Sequence, residues 1–167
     1  MNAPVKKISV ERLHQAFSYD PLTGVLFRKE HAGNVAAGPV KGSPDAKKHL
    51  RVQIDKKRLQ IHNIAWALMT GYWPSLVIDH RNGNPADNRW SNLRLATNQQ
   101  NSFNQRLPKH NTTGFKGVVA TTSGKWAAGI KVDGVRAHLG TFDTREAAAE
   151  KYQQAAKAAF GEFYREK

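Results

Sequence analysis

The chain has no cysteine. That excludes a disulfide framework, a thiol nucleophile and a zinc site with thiolate ligands, and it is compatible with a reducing cytoplasm, where the protein is expected to work. It also lacks any apolar run of the roughly 18 residues that a membrane-spanning helix requires, so no membrane partner is expected. The opening Met1-Asn2-Ala3-Pro4-Val5-Lys6-Lys7 is basic with no apolar stretch behind it, so no secretory signal is expected. Acidic residues are scarce. Against 26 Lys and Arg stand 13 Asp and Glu, which leaves a net charge of +13 in 167 residues and a pI of about 10.2. Such an excess favours a polyanionic partner, nucleic acid or an acidic membrane surface. Its spread along the chain among aromatics points to nucleic acid.

What is present reads as one or two small folded units. Apolar residues at helical spacing over Val10–Phe17, with Ser9 before them, predict a capped helix. Tyr19-Asp20-Pro21-Leu22-Thr23-Gly24 is a turn, and Val25-Leu26-Phe27 a strand. Residues 32–48, rich in Gly, Pro and Ala, read as a loop. Leu50–Ile54 alternates as a half-buried strand does, and Asp55-Lys56-Lys57 turns it into a second strand over Arg58–Ile61. His62–Leu68 reads as a helix stopped by Gly71 and Pro74.

The stretch from Val77 to Asn104 carries the chemistry. A short strand delivers Asp79 and His80, an Asn/Gly/Asp loop follows, and then come Asn92, a second strand and a short helix. Thr97 and Gln100 fit a capping box, which puts Asn101 in the second turn of that helix. Hydrolysis of a phosphodiester needs a deprotonated water and charge neutralisation at the phosphate and the leaving oxygen. An imidazole near its ordinary pKa can take the proton, and a hard cation on oxygen ligands can supply the rest. Neighbours in a strand face opposite ways, so His80 suits the water and Asp79 the metal. The amide oxygen of Asn101 can complete the metal site. Asn92 can tie the loop backbone and so hold His80 in orientation. Taken alone, an Asp-His pair is an ordinary surface feature, Asn82-Gly83 an ordinary turn, and Trp66, Trp73 and Trp90 core residues; the ordered set is what points to a catalytic centre.

Residues 107–113 read as a linker, and 114–167 as a second unit. Strands are expected over Gly114–Ala120, Lys125–Val132 and Val135–Phe142. Asp133-Gly134 is a two-residue hairpin turn that pairs Val132 with Val135, Lys131 with Arg136 and Gly129 with His138. A helix over Thr144–Phe160, capped by Asp143 or Thr144 and ended by Gly161, offers Ala148, Tyr152, Ala155, Ala156 and Ala159 to the apolar sheet face. Lys116, Lys131, Arg136 and His138 are left on the open face, which is of a size to enter a major groove. Any antiparallel sheet has a polar face, so the charge is what singles this one out.

Two resemblances follow from these motifs. Asp79-His80, Asn82-Gly83, Asp87-Asn88-Arg89, Asn92-Leu93-Arg94 and Gln100-Asn101, preceded by Tyr19-Asp20-Pro21, Thr23-Gly24, Ile61-His62, Gly71 and Trp73-Pro74, resemble the phage-associated HNH homing-type endonucleases over about residues 9–105. The resemblance implies an HNH nuclease domain over 1–106 with a ββα-metal (His-Me finger) core at about 75–105. It implies His80 as general base, Asn92 as positioning residue, and Asp79 and Asn101 as ligands of one divalent cation, Mg2+ or Mn2+. Asn101 stands where many relatives carry His, and an oxygen ligand there favours a hard ion over zinc. His62 recurs in the pattern and is expected to be a buried structural histidine. Gly114-Phe115-Lys116-Gly117-Val118, Gly124-Lys125-Trp126, Leu139-Gly140-Thr141-Phe142 and Glu146-Ala147-Ala148 resemble the APETALA or ethylene-response-factor type of DNA-binding domain over 113–164. There Thr121, Gly129 and His138 replace Arg, Glu and Trp of the plant members, which implies looser base readout with phosphate contacts retained.

The expected architecture is therefore α+β: a ββα-metal core followed by a three-stranded antiparallel sheet packed on one helix. The expected activity is metal-dependent cleavage of double-stranded DNA by a monomer or weak dimer. The expected DNA contacts are Lys116, Lys131, Arg136, His138, Arg81 and Arg89. A DNA-binding regulator without cleavage activity, and a basic structural protein of a phage particle or RNA complex, are the competing readings.

Overall fold

Ser9 starts the first helix: its Oγ accepts from Arg12 N at 3.2 Å, and α1 runs Val10–Ala16. The structure, a computed structural model, describes residues 8–105, 107 and 110–165. The opening segment read for a signal, and residues 106, 108 and 109 at the expected linker, lie outside the described residues. Described residues fall into two compact units, within Met1–Ala96 and Thr97–Lys167.

In the first unit β1 (Phe17–Tyr19) pairs antiparallel with β2 (Leu26–Arg28), and β2 with β3 (Gly38–Pro39). A second sheet has the order β4 (Ser43–Pro44), β5 (Leu50–Ile54), β6 (Lys57–Gln60). The segment expected as a plain loop over 32–48 thus contributes two short edge strands, each holding a proline where an edge tolerates a missing donor. Asp55 and Lys56 both have positive φ, 46° and 61°, which makes the connection to β6 a two-residue turn and starts that strand at Lys57.

Helix α2 (Ile61–Thr70) ends at Gly71, whose φ is 80°. It serves two cores. Ile61, Ile64 and Ala67 pack with Leu13, Phe17 and Leu26. Ala65 packs with Ile78 and Leu93, beside the Trp66 and Trp90 rings, whose centroids are 5.0 Å apart. This second cluster anchors the hairpin of β7 (Val77–His80) and β8 (Leu93–Ala96), in which Asp79 lies opposite Arg94 and His80 opposite Leu93. Trp73 is half-buried and donates Nε1 to Ile8 O at 2.8 Å, a structural role. No helix among the described residues is long and apolar enough to cross a membrane.

The second unit opens with α3 (Asn98–Phe103), closed by the expected capping box of Thr97 and Gln100. Its Phe103 ring stacks on Phe160 at 3.3 Å between centroids, so the helix is grouped with this unit and not with the residues before it. Strands β9 (Val118–Ala120), β10 (Trp126–Val132) and β11 (Val135–Phe142) form an antiparallel sheet with β10 in the middle, packed on α4 (Arg145–Phe160).

Two details correct the sequence reading here, and a third settles the choice of cap between Asp143 and Thr144. The first strand starts at Val118 and not at Gly114, because Gly114 and Gly117 have φ of 77° and 68° and break the extended run. A β-carbon on Gly117 would overlap the Tyr152 ring, so the turn is also what lets α4 approach. The α4 face is built from Ala148, Ala149, Ala156 and Phe160, while Ala159 is exposed. The helix cap is Thr144, whose Oγ1 accepts from Ala147 N at 3.2 Å.

Candidate active site and nucleic-acid face

His80 ends β7 and is 5 % exposed. Its Nε2 lies 3.2 Å from Asn88 Oδ1, which fixes the orientation of the ring. Two further imidazoles close around it. The ring centroid of His62 is 5.1 Å away and that of His49 5.8 Å, and His49 and His62 are 5.0 Å apart. His62 comes from the first turn of α2. His49 comes from a tight turn in which Asp45 Oδ1 accepts from Lys47 N and His49 N. Burial lowers the pKa of His80, opposed by the hydrogen bond that its ring N–H donates to Asn88 Oδ1. Burial and the neighbouring imidazoles lower His62 further, to about 3. Neutral rings are what such a cluster demands, since two charges at this spacing in a dry environment repel.

The loop from Arg81 to Arg89 is held by Asn92. Its Nδ2 donates to Asp87 O at 2.7 Å and Asn82 Oδ1 at 3.1 Å, while its Oδ1 accepts from Asn82 N at 2.9 Å. The backbone N–H of Arg81 donates to Asn92 O at 2.8 Å. Asn92 is buried, so each of these bonds replaces one that water would otherwise make. The Asn84, Asp87 and Asn82 side chains accept from backbone N–H groups two residues on, the local pattern that Asx residues favour.

The Tyr19–Gly24 turn braces the same loop from outside. Trp90 N donates to Pro21 O at 3.0 Å. Gly24, at φ 76°, sits so close to the backbone of Asn88 and Arg89 that any side chain there would collide with them.

Asp79 faces away from His80. It is 4 % exposed, and its Oδ2 accepts from Arg94 Nε at 2.8 Å and Nη2 at 2.7 Å. As it stands, the carboxylate neutralises a buried guanidinium. Asn101 lies half-buried in α3, in the second compact unit. The donor types of Asp79 and Asn101, carboxylate and amide oxygen, suit a hard divalent ion; the nitrogens around His80 suit a softer one.

The expected DNA contacts divide. Lys131, Arg136 and His138 are exposed on the sheet, with Lys131 opposite Arg136 and Gly129 opposite His138, the register read from the sequence. A bulge between Ala128 and Gly129 leaves Leu139 without an opposite partner. Neither Lys131 nor Arg136 makes an ion pair with a described residue. Lys116 is a correction. It sits in the glycine-bounded turn, not on the open face, and its Nζ donates to Phe103 O at 3.2 Å and Arg165 O at 2.6 Å. Burial lowers its pKa. Arg81 and Arg89 are exposed, but Arg89 grips Asp87 through Nε at 2.9 Å and Nη2 at 2.6 Å, which offsets its charge.

These features coincide with sequence similarity. A family model described as HNH endonuclease matches residues 59–103. Protein 3.8 of Escherichia phage T7 is 33 % identical over 94 residues, covering 55 % of this chain and 78 % of that protein. The chain belongs to the HNH endonuclease family. A second relative, the uncharacterized HNH endonuclease L560 of Acanthamoeba polyphaga mimivirus, is 36 % identical over 114 residues. That match takes in 67 % of this chain and 59 % of the mimivirus protein, so the chain spans less than two thirds of that relative. Among solved structures, one of the HNH homing endonuclease I-HmuI, described for DNA binding and cleavage, aligns with a TM-score of 0.44 and 19 % identity. It covers 87 % of this chain and 82 % of its own.

Sequence reasoning gave no role to three residues that lie against Asp79 or His80. Arg94 had a legible signal, since pairing the two short strands places it opposite Asp79. Asn88 had a weaker one, as an amide in an Asn/Asp-rich loop. His49 had none: the turn at Asp45 brings it to His80 only once the chain is folded.

Proposed function

We propose that the chain is a metal-dependent endonuclease that hydrolyses phosphodiester bonds of double-stranded DNA, of the homing type, one strand per active centre, with His80 as the general base. The observation that carries the reading is the buried network His80–Asn88 with Asn92 beneath it, inside the segment matched by the HNH endonuclease family model.

His80, neutral through burial, accepts the proton of the attacking water. Asn88 orients the ring. Asn92 acts as a positioning residue by holding the loop that carries Asn88. Asp79 and Asn101 would hold the divalent ion, Mg2+ or Mn2+, which supplies charge neutralisation at the phosphate and the leaving oxygen. DNA is gripped by Lys131, Arg136 and His138 on the sheet, whose face suits the major groove, and by Arg81 beside the active centre. A monomer of this design nicks duplex DNA, and two copies would be needed for a double-strand cut.

Supercoiled plasmid, incubated with Mg2+ or Mn2+ and with or without a chelator, tests this directly. His80→Ala should cleave about a hundred- to ten-thousand-fold more slowly, the range for loss of a general base, with DNA affinity little changed. Cleavage by the variant at the wild-type rate would remove His80 from the role.

One observation favours the second reading, a DNA-binding regulator without cleavage. The Asp79 carboxylate is already engaged by Arg94. Chelator-insensitive DNA binding with no nicking under either metal would select it.

A further inference from the structure

We propose that His49, His62 and His80 form a binding site for a borderline-soft divalent transition metal, zinc or its chemical neighbours cobalt and nickel, and that filling this site silences His80. The second half rests on the reading of His80 as the base; the first does not. Each of the three residues offers a ring nitrogen, and these atoms all lie within 4.8 Å of one another. Ligand nitrogens around a zinc ion at about 2.0–2.1 Å stand roughly 3.3 Å apart, so closing the trio needs shifts of at most about 1.5 Å.

A second observation points to the same place. His62 is 4 % exposed, and its Nδ1 has no hydrogen-bond partner. A buried polar atom left unsatisfied calls for an explanation, and a missing ion is one of the few available. His49 Nδ1 lies 3.5 Å from Asp45 Oδ1 without hydrogen-bond alignment. A carboxylate beside a ligating imidazole is the usual device for orienting it and raising its basicity. Asn88 plays the corresponding part for His80.

The site is chemically separate from the oxygen ligand on the other side of β7. Strand alternation turns Asp79 away from His80, so a hard ion on oxygen and a softer ion on nitrogen need not compete for one ligand. A metal held by His80 consumes the lone pair that would otherwise take a proton from water. Inhibition therefore follows from occupancy alone.

The test uses the full chain with Co2+ as the probe, because visible absorption reports imidazole coordination whether or not DNA is cut. One equivalent of Co2+ should bind, and Zn2+ should displace it. His49→Gln, at the least buried of the three, should weaken binding by at least the roughly 10–100-fold that loss of an outer partner of a ligand costs. His14→Gln, on an exposed helix face, should bind as wild type. A melting curve accompanies each variant. Should His49→Gln prove misfolded, NMR of the wild-type chain decides instead: zinc should shift the ring signals of three of its seven histidines. Equal binding by all variants, or zinc shifts confined to other rings, overturns the site.

In nicking supported by Mg2+, zinc should stop the wild type at the concentration that displaces Co2+, while His49→Gln, scored against its own zinc-free rate, should need at least about tenfold more zinc for the same fractional loss. Binding at the trio without inhibition overturns the silencing. A wild-type chain that never nicks counts against His80 as base, and the Co2+ spectrum still decides the metal site.

Discussion

The Tyr19 hydroxyl donates to the carbonyl of Asn88 at 2.6 Å, across 69 residues of sequence. Because the Asn88 side chain touches His80, a phenol in the first strand bears on the orientation of the imidazole. Burial raises the Tyr19 pKa, so the group stays a neutral donor. Tyr19→Phe should lower stability by about 1 kcal/mol, measured by urea unfolding. Cleavage under saturating DNA should fall while DNA affinity stays constant, since no groove contact is lost.

Gly24→Ala should be more damaging. The residue has φ 76°, and a β-carbon there would overlap the Asn88–Arg89 backbone. Left-handed strain and overpacking together should cost about 3 kcal/mol. A thermal melt checks this, and a variant as stable as wild type would show that the turn is free to move away.

Much of this bracing was legible in the sequence as punctuation. Ser9, Thr97 with Gln100, Thr144, Gly71 and Asp133-Gly134 act locally, through an amide satisfied or a positive φ, so their positions in the chain disclose them. The bulge at Ala128 was not legible, nor was the turn at Gly114 and Gly117, because glycine tolerates a strand as well as a turn until the Tyr152 ring decides. The histidine cluster was the least legible. His62 was visible as a recurring residue without a role, and His49 reaches it only through the pairing of β5 and β6 and the start of α2.

Asp79 and Arg94 form a buried pair, so removing one charge should be worse than removing both. Asp79→Asn strands the guanidinium and should cost about 3–5 kcal/mol, whereas Asp79→Leu combined with Arg94→Met should cost much less. Denaturant unfolding of both proteins separates these outcomes. The same measurement must accompany any loss of cleavage in Asp79 variants, since misfolding would mimic loss of a metal ligand.

Acid should loosen the loop from Arg81 to Arg89. Hydrogen bonds from Arg89 hold the Asp87 carboxyl at about 2, below its ordinary 3.8, outweighing the opposite effect of burial. A carboxyl depressed on folding stabilises the protein above its unfolded value and loses that contribution as pH falls through its folded one. The melting-temperature gap between wild type and Asp87→Asn should be full above about pH 4 and shrink towards zero near about pH 2. A gap that does not change over this range would deny the carboxylate its role.

Lys131 and Arg136 stand directly opposite each other, an arrangement that costs stability in the free protein. Lys131→Gln or Arg136→Gln should leave folding unchanged or slightly improved. Each should also weaken duplex binding and reduce the salt dependence of log K by about one charge's worth. Affinity measured across a salt series checks both. Lys116→Gln should behave differently, lowering stability rather than the salt slope, because its ammonium is spent on two carbonyls.

The strand that carries Asp79 and His80 is four residues long, and its alternation assigns the acid to one side and the imidazole to the other. Insertion or deletion of a single residue there would exchange the two, turning a carboxylate into the histidine cluster and the imidazole towards Arg94. Length changes in this protein's descendants should therefore collect in the connections, such as the segment over 32–48, while the spacing between Ile78 and Leu93 admits them only in a form that restores the hairpin's frame.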